Sequence, residues 1–220
     1  MQTSDNVERV MPRYYAQRAA EYERVFDRPH RQADIATLKA WLREQFAGRH
    51  VLEVATGTGF WLPQATADAA SWLGTDLNPE VLALARDKPL DFGRVRFTRA
   101  DAYALAAAVG PGPFDAAFAG LWFSHVPLSR RAAWVAQLLA CPQPGARVVL
   151  LDNRYVECDS TPIARVDAEG NGFQRRQLSD GSTYEVLKNF PTAAEFEALL
   201  PGRRTEFREL DYFWTLVFEA

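Results

Sequence analysis

The sequence predicts an α/β fold built around a mostly parallel sheet, on three observations. The stretch 51–61, VLEVATGTGFW, reads as a short buried strand that runs into a glycine turn and the start of a helix. Short apolar runs then alternate with stretches of helical spacing as far as Leu151, the pattern of strands joined by crossover helices. An acid, Asp76, closes the second of those runs, and open parallel sheets hold their ligands outside the carboxyl ends of the strands. At 220 residues the chain suits one α/β domain with a large core and is too short for two full ones.

In chain order, residues 1–30 carry Val7, Val10, Met11, Tyr14, Tyr15, Ala19 and Tyr22 at helical spacing with Pro12 among them. The expectation is a short helix, a break at Pro12 and a second helix. Ile35, Leu38, Trp41, Leu42 and Phe46 mark the next helix, which Gly48 ends. After Gly59 a helix starts with Phe60, Trp61 and Leu62, and Pro63 is tolerated in its first turn. The second strand is read at Ala70–Asp76. Asn78, Pro79 and Glu80 then supply a cap, a first-turn proline and an acid at the positive end of a helix. Val95–Thr98 is the third strand and Phe114–Ala119 the fourth, opened by a turn at Gly110–Pro113. A helix over Arg130–Ala140 packs Trp134, Val135, Leu138 and Leu139, and Pro142, Pro144 and Gly145 lead into strand five, Ala146–Leu151. From Tyr155 to Asn189 the alternation stops. Phe173–Leu178 and Ser182–Leu187 read as a hairpin about Ser179, Asp180 and Gly181. Thr192 and Glu195 make a capping box, and Arg204–Leu210 with Tyr212–Phe218 forms a closing antiparallel pair.

Composition narrows the function classes. Hydrophobic content of 48% with 24% charged residues is that of a soluble globular protein. A net charge of -3 and a pI near 5.7, with no basic tract, give no field to gather nucleic acid. Cys141 and Cys158 lack CxxC spacing and a nearby His cluster, which argues against structural zinc or a disulfide framework. Without an apolar run of about 18 residues no membrane span is expected, and the expected compartment is the cytoplasm.

The nonapeptide VLEVATGTG at 51–59 resembles motif I of the class I S-adenosylmethionine (SAM) methyltransferases. The run Tyr14, Tyr15, Arg18, Glu21, Tyr22 is similar to the YYxxRAxEY opening of many small-molecule members, Ala100–Ala102 to their ADA segment, and Phe114–Phe118 to the FDAAF start of strand four. The resemblance covers residues 12–152 in motif order and the rest in architecture. It implies a Rossmann-like, seven-stranded, mostly parallel sheet with an antiparallel C-terminal strand and helices on both faces. Residues 1–220 would be a single domain, with 1–46 as a helical lid and scaffold and 154–190 as a cap inserted after strand five. It also implies SAM as cofactor, S-adenosylhomocysteine (SAH) as product, and methyl transfer to an O, N or C nucleophile of a small molecule. A nicotinamide enzyme is disfavoured, because the dinucleotide fingerprint wants a small residue where Leu62 stands. A SAM-binding protein of the same fold that transfers no methyl is the alternative, and monomer and homodimer are both open.

The resemblance also implies residue roles. Glu53, Ala55, Gly57, Thr58 and Gly59 form the loop against the amino-acid end of SAM, where glycines let the main chain approach a ligand. Asp76, followed by Leu77, would accept both ribose hydroxyls. Asp101 with Ala102 would meet the amine and a ring nitrogen of adenine, or Asp101 is a helix N-cap. Tyr14 and Arg18 would touch SAM, an Arg suiting its carboxylate, or belong to an amphipathic helix. Ala119 ends strand four beside the methyl group. His125 is either a general base or the histidine that holds its turn. Tyr15, Trp122 and Phe123 would line the substrate pocket or the core. Arg154, Arg165, Arg175, Arg176 and Lys188 would meet an acidic substrate or lie on solvated strand faces. Asp152-Asn153 resembles a pair of the magnesium-dependent catechol-type enzymes, but the acid those carry at the end of strand four is replaced by Ala119-Gly120-Leu121, so no metal is expected.

Overall fold

The computed structural model describes residues 4–220, with side chains from Val10 onward; Val7 lies outside the described side chains. Helix α1 spans Ser4–Arg18 with Pro12 inside it, and a 3-10 segment, Ala19–Phe26, follows directly. The break expected at Pro12 therefore falls at the junction of Arg18 and Ala19. Pro12 costs one backbone hydrogen bond, yet its neighbours Met11 and Tyr14 are buried against Phe173, Val186 and Leu187, which holds the turn helical. Pro29–Arg31 is a second 3-10 turn, and α2 (Gln32–Phe46) buries Ile35, Leu38, Leu42 and Phe46.

Then come β1 (His50–Val54), α3 (Leu62–Ala65), β2 (Ser71–Asp76), α4 (Pro79–Arg86), β3 (Val95–Arg99), α5 (Leu105–Val109), β4 (Ala116–Gly120), α6 (Arg131–Leu139) and β5 (Arg147–Asn153). The helix expected from Phe60 is the single turn of α3. Beyond β5 lie β6 (Ile163–Val166), β7 (Gly172–Gln177), β8 (Thr183–Leu187), α7 (Ala193–Leu199), β9 (Thr205–Glu209) and β10 (Phe213–Glu219). The main sheet runs β3-β2-β1-β4-β5-β10-β9, with β10 antiparallel to both neighbours. This is the Rossmann-like, seven-stranded architecture the sequence implied. The expected hairpin gains a third strand, β6, in a separate antiparallel sheet β6-β7-β8. The expected capping box opens α7, with Thr192 and Glu195 bonding each other's backbone N–H.

Strands buried on both faces explain why the sequence shows apolar runs rather than alternation. Val51, Phe118, Val149, Leu151 and Phe213 face α2 and α3, while Leu52, Val54, Ala117, Val148, Leu150 and Leu216 face α6 and α7. The connection from β5 to the small sheet is fastened to the amino-terminal segment by Asp159, whose carboxylate accepts hydrogen bonds from Arg28 (2.6 Å), His30 (2.7 Å) and Arg31. Burial works against that carboxylate, but the Arg31, His30 and Arg28 bonds outweigh it and hold its pKa at about 2. No helix among the described residues is long and apolar enough to cross a membrane.

Candidate active site

At the carboxyl end of β1 the chain turns through three residues of positive φ: Ala55 (55°), Gly57 (60°) and Gly59 (77°). A Cβ on Gly59 would lie 2.7 Å from Leu62 Cδ1 and 3.1 Å from Ala85 Cβ, so glycine there lets α3 and α4 close on the loop. The Asp76 carboxylate accepts the N–H of Gly57 (3.0 Å) and of Asn78 (2.9 Å), tying the ends of β1 and β2 together. Burial raises its pKa, and those N–H groups oppose the rise. Glu53 stands behind the loop: fully buried, it accepts Thr56 Oγ1 and Trp72 Nε1, each at 2.9 Å. Burial first, offset by those two bonds, pushes its pKa up to about 7.

A cavity of about 210 Å³ opens in front of this loop, walled by Ala55, Gly57, Thr58, Asp76, Leu77, Asp101 and Ala102 and roofed by Met11, Pro12, Tyr22 and Phe26. Asp101 accepts the N–H of Tyr103 (2.9 Å) and caps no helix, since α5 begins only at Leu105. The donor set fits SAM. Asp76 and Asp101 offer acceptors, Leu77, Val81, Tyr103 and Trp122 offer apolar walls to a flat ring, and the buried Trp122 Nε1–H has no partner among the described residues.

A second cavity, about 290 Å³, lies between the amino-terminal segment and the small sheet, and it is predominantly polar. The two cavities share Tyr15, Tyr22, Phe26, Leu121 and His125. Leu121 has φ 58°, an uncommon backbone for a branched residue, held where its N–H donates to the Leu151 carbonyl (2.6 Å). His125 is buried at this junction. Its Nδ1 is 2.6 Å from the Leu187 carbonyl, an acceptor only, so Nδ1 carries the proton and Nε2 accepts from Tyr15 Oη at 2.7 Å. Burial first, then the nearby Lys188 ammonium, lowers the His125 pKa to about 3. The imidazole is neutral at physiological pH with both nitrogens engaged.

This depressed pKa has a stability consequence. The unfolded chain takes up a proton below the ordinary value of 6.5, while folded His125 resists protonation down to about 3. Its contribution is therefore present above pH 6.5 and lost as pH falls toward 3. Thermal melts between pH 7 and pH 4 should show a shallower acid decline for His125→Gln than for the parent chain; equal slopes would refute the assignment.

Of the residues singled out in the sequence, Ala55, Gly57, Thr58, Asp76, Leu77, Asp101, Ala102 and Trp122 wall the first cavity, while Tyr15 and His125 wall both. Tyr14, Arg18 and Arg175 wall the second. Glu53, Gly59 and Ala119 wall neither: Glu53 braces the loop, Gly59 packs against α3 and α4, and Ala119 is buried in the core. Phe123 is a core residue, ringed by Trp134, Phe196 and Trp214, rather than a pocket wall. Arg154 turns toward the β9–β10 connection, donating to the Leu210 carbonyl (2.9 Å). Sequence reasoning passed over Val81, Tyr103 and Asn78 in the first cavity and Gln174 in the second. Among the described residues no group of three His, Cys, Asp or Glu side chains could hold a metal.

A mostly parallel sheet in this order, with the antiparallel β10 between β5 and β9, a glycine loop after β1 and an acid at the end of β2, is a Rossmann-like fold with its ligand site at the carboxyl ends of the strands. Residues 51–145 match a protein family described as "Methyltransferase domain". Two similar solved structures are the DhpI-SAM-HEP complex, 26% identical with TM-score 0.79 over 100% of both chains, and the DhpI-SAH complex, 27% identical with TM-score 0.75 over 98% of both. A curated relative, the ribosomal protein L11 methyltransferase of Thermus thermophilus, is 30% identical over 150 residues, 68% of this chain. The chain spans only 55% of that relative's length. This chain carries a class I SAM-dependent methyltransferase domain, and SAM is the cofactor of that class.

Proposed function

We propose that the protein transfers a methyl group to an O, N or C nucleophile of a small molecule, with SAM in the first cavity and the acceptor in the second. The observation that carries this is the shared wall of Tyr15, Tyr22, Phe26, Leu121 and His125, which sets two differently lined cavities mouth to mouth. The solution of DhpI with SAM and HEP together supports a site for two ligands. A SAM sulfonium brings an electrophilic methyl group, so the chain's own task is alignment and exclusion of water. Asp76 and the Gly57–Thr58 backbone would fix the ribose and amino-acid ends, and Asp101 and Ala102 the adenine edge. Residues 1–46 would roof both ligands and 154–190 would cap the acceptor. The relative named for a ribosomal protein has a macromolecular acceptor; here the second cavity, roofed by the small sheet, favours a compact one.

The test is calorimetric titration with SAH and, separately, NADH, followed by a screen of small acceptors with labelled SAM. SAH should bind and NADH should not. A well-folded protein that binds neither would overturn the reading. His125→Ala should then lower turnover at least about tenfold while leaving SAH affinity nearly unchanged, as expected for a group that sets Tyr15 at the junction. Loss of SAH affinity in that variant would instead mark His125 as support for the first cavity.

A further inference from the structure

The charge of the second cavity is unbalanced. Arg18, Arg28, Arg31, Arg175, Arg176 and Lys188 all line it, against one lining carboxylate, Asp159. Asp159 is already committed to Arg28, His30 and Arg31. Lys188 is committed to the fully buried Asp152 (2.6 Å) and to Ser124 Oγ (2.6 Å). Among the described residues no carboxylate forms an ion pair with Arg18, Arg175 or Arg176. The Arg176 guanidinium instead donates to Gln174 Oε1 (2.6 Å), and Arg18 lies over the rings of Tyr14 and Tyr22 at 5.7 and 5.1 Å. Guanidinium groups gathered in so small a space repel one another unless an anion joins them.

Among the described residues, each side chain at the junction that could accept a proton is already engaged. His125 Nδ1 bears its hydrogen toward Leu187, and its Nε2 is filled by the Tyr15 hydroxyl. Tyr15 and Tyr22 are neutral phenols, burial pushing both above their ordinary value, Tyr22 to about 12. Asp152 is bound by Lys188, the Ser124 N–H and the Asn153 N–H. Among the described residues, a hydroxyl or ammonium nucleophile would find no unengaged group to take its proton. An ionised oxygen has none to lose.

We propose, on the reading that the second cavity holds the acceptor, that the acceptor is a small molecule bearing a phosphate, phosphonate or carboxylate group and that an oxygen of this anion receives the methyl. A lone pair of that oxygen forms the O–CH3 bond as the S–CH3 bond breaks, and the bonding pair stays on sulfur. The sulfonium loses its positive charge, the acceptor loses one negative charge, and no proton is released. Arg176, with Arg18, anchors the anion, while the apolar Phe26 and Leu121 at the junction keep water from the transfer.

The experiment titrates SAH-loaded protein with inorganic phosphate, ethylphosphonate and acetate, with ethanol and ethylamine as controls. At least one oxyanion should bind, more weakly as chloride is added, and at least about tenfold more weakly to Arg176→Gln, the loss of a charge-assisted bond. Neither control should bind. Protein that binds SAH but no oxyanion overturns this inference and leaves the methyltransferase reading intact; protein that binds no SAH removes that reading too. With an acceptor that turns over, protons released per SAH are counted in weak buffer at a pH where the anion is fully ionised. None is expected, and one proton per SAH would overturn the assignment. If Arg176→Gln does not fold, the parent titration and the proton count still decide.

Discussion

Replacing Asp76 by Ala should weaken SAH binding by about 3 kcal/mol, roughly a hundredfold or more, with the fold retained. Two effects add. The carboxylate stands at the end of β2 in the first cavity, where it would accept both ribose hydroxyls through charge-assisted hydrogen bonds. It also pins the Gly57 and Asn78 N–H groups, so its loss frees the loop that would meet the rest of the ligand. Asp76→Asn keeps the size and one acceptor and should fall between the two. Calorimetry with SAH measures all three, and unchanged affinity in Asp76→Ala would sink the ribose assignment.

Lys188→Met should destabilise the fold by about 3–5 kcal/mol at pH 7, because it leaves an ionised carboxylate buried without its counter-charge. Asp152 is fully buried, and burial favours its neutral form, but the Lys188 ammonium first, then the Ser124 hydrogen bond, hold its pKa below the ordinary value. That stability is present above the unfolded carboxylate's pKa and is lost as pH falls through the folded one. In the variant Asp152 loses this support and takes up a proton more readily. The gap between parent and variant should therefore narrow on acidification. Urea unfolding at pH 7 and pH 4.5 reads this out. The double variant Lys188→Met, Asp152→Leu should recover much of the loss, since removing both partners leaves no orphaned charge. A double variant as unstable as the single one would show that packing at Lys188, rather than charge, matters.

The sheet was legible because each central strand is a run of apolar residues between turn signals, and that pattern survives without knowledge of partners. Val51–Val54 and Val148–Leu151 needed nothing else. Pro12 misled because local propensity argues for a break, whereas Met11 and Tyr14 are held by a sheet that forms more than 150 residues later in the chain. The third strand of the small sheet, IARV at 163–166, was missed because half of its residues are exposed and no apolar run marks it. In the site, motif spacing located the first cavity's walls. It could not separate Gly57, which faces the cavity, from Gly59, which faces α3 and α4, since direction is set by packing rather than by residue type. Phe123 and Trp122 are adjacent aromatics with opposite fates for the same reason. The charge of the second cavity was spread over residues 18–188 and became a property only when the chain folded.

The segment carrying Met11, Pro12, Tyr15, Tyr22 and Phe26 covers the first cavity, and much of it covers the second. Its Glu23 carboxylate is fixed on the far side by Thr58 Oγ1 (2.7 Å) and Lys88 Nζ (2.7 Å). On the proposed assignment donor and acceptor would share one door. Lifting it for either passenger would break the Tyr15–His125 bond and strip wall from the other, so the two exits would be coupled events. Timing, and not affinity alone, would then rest on a single stretch of chain.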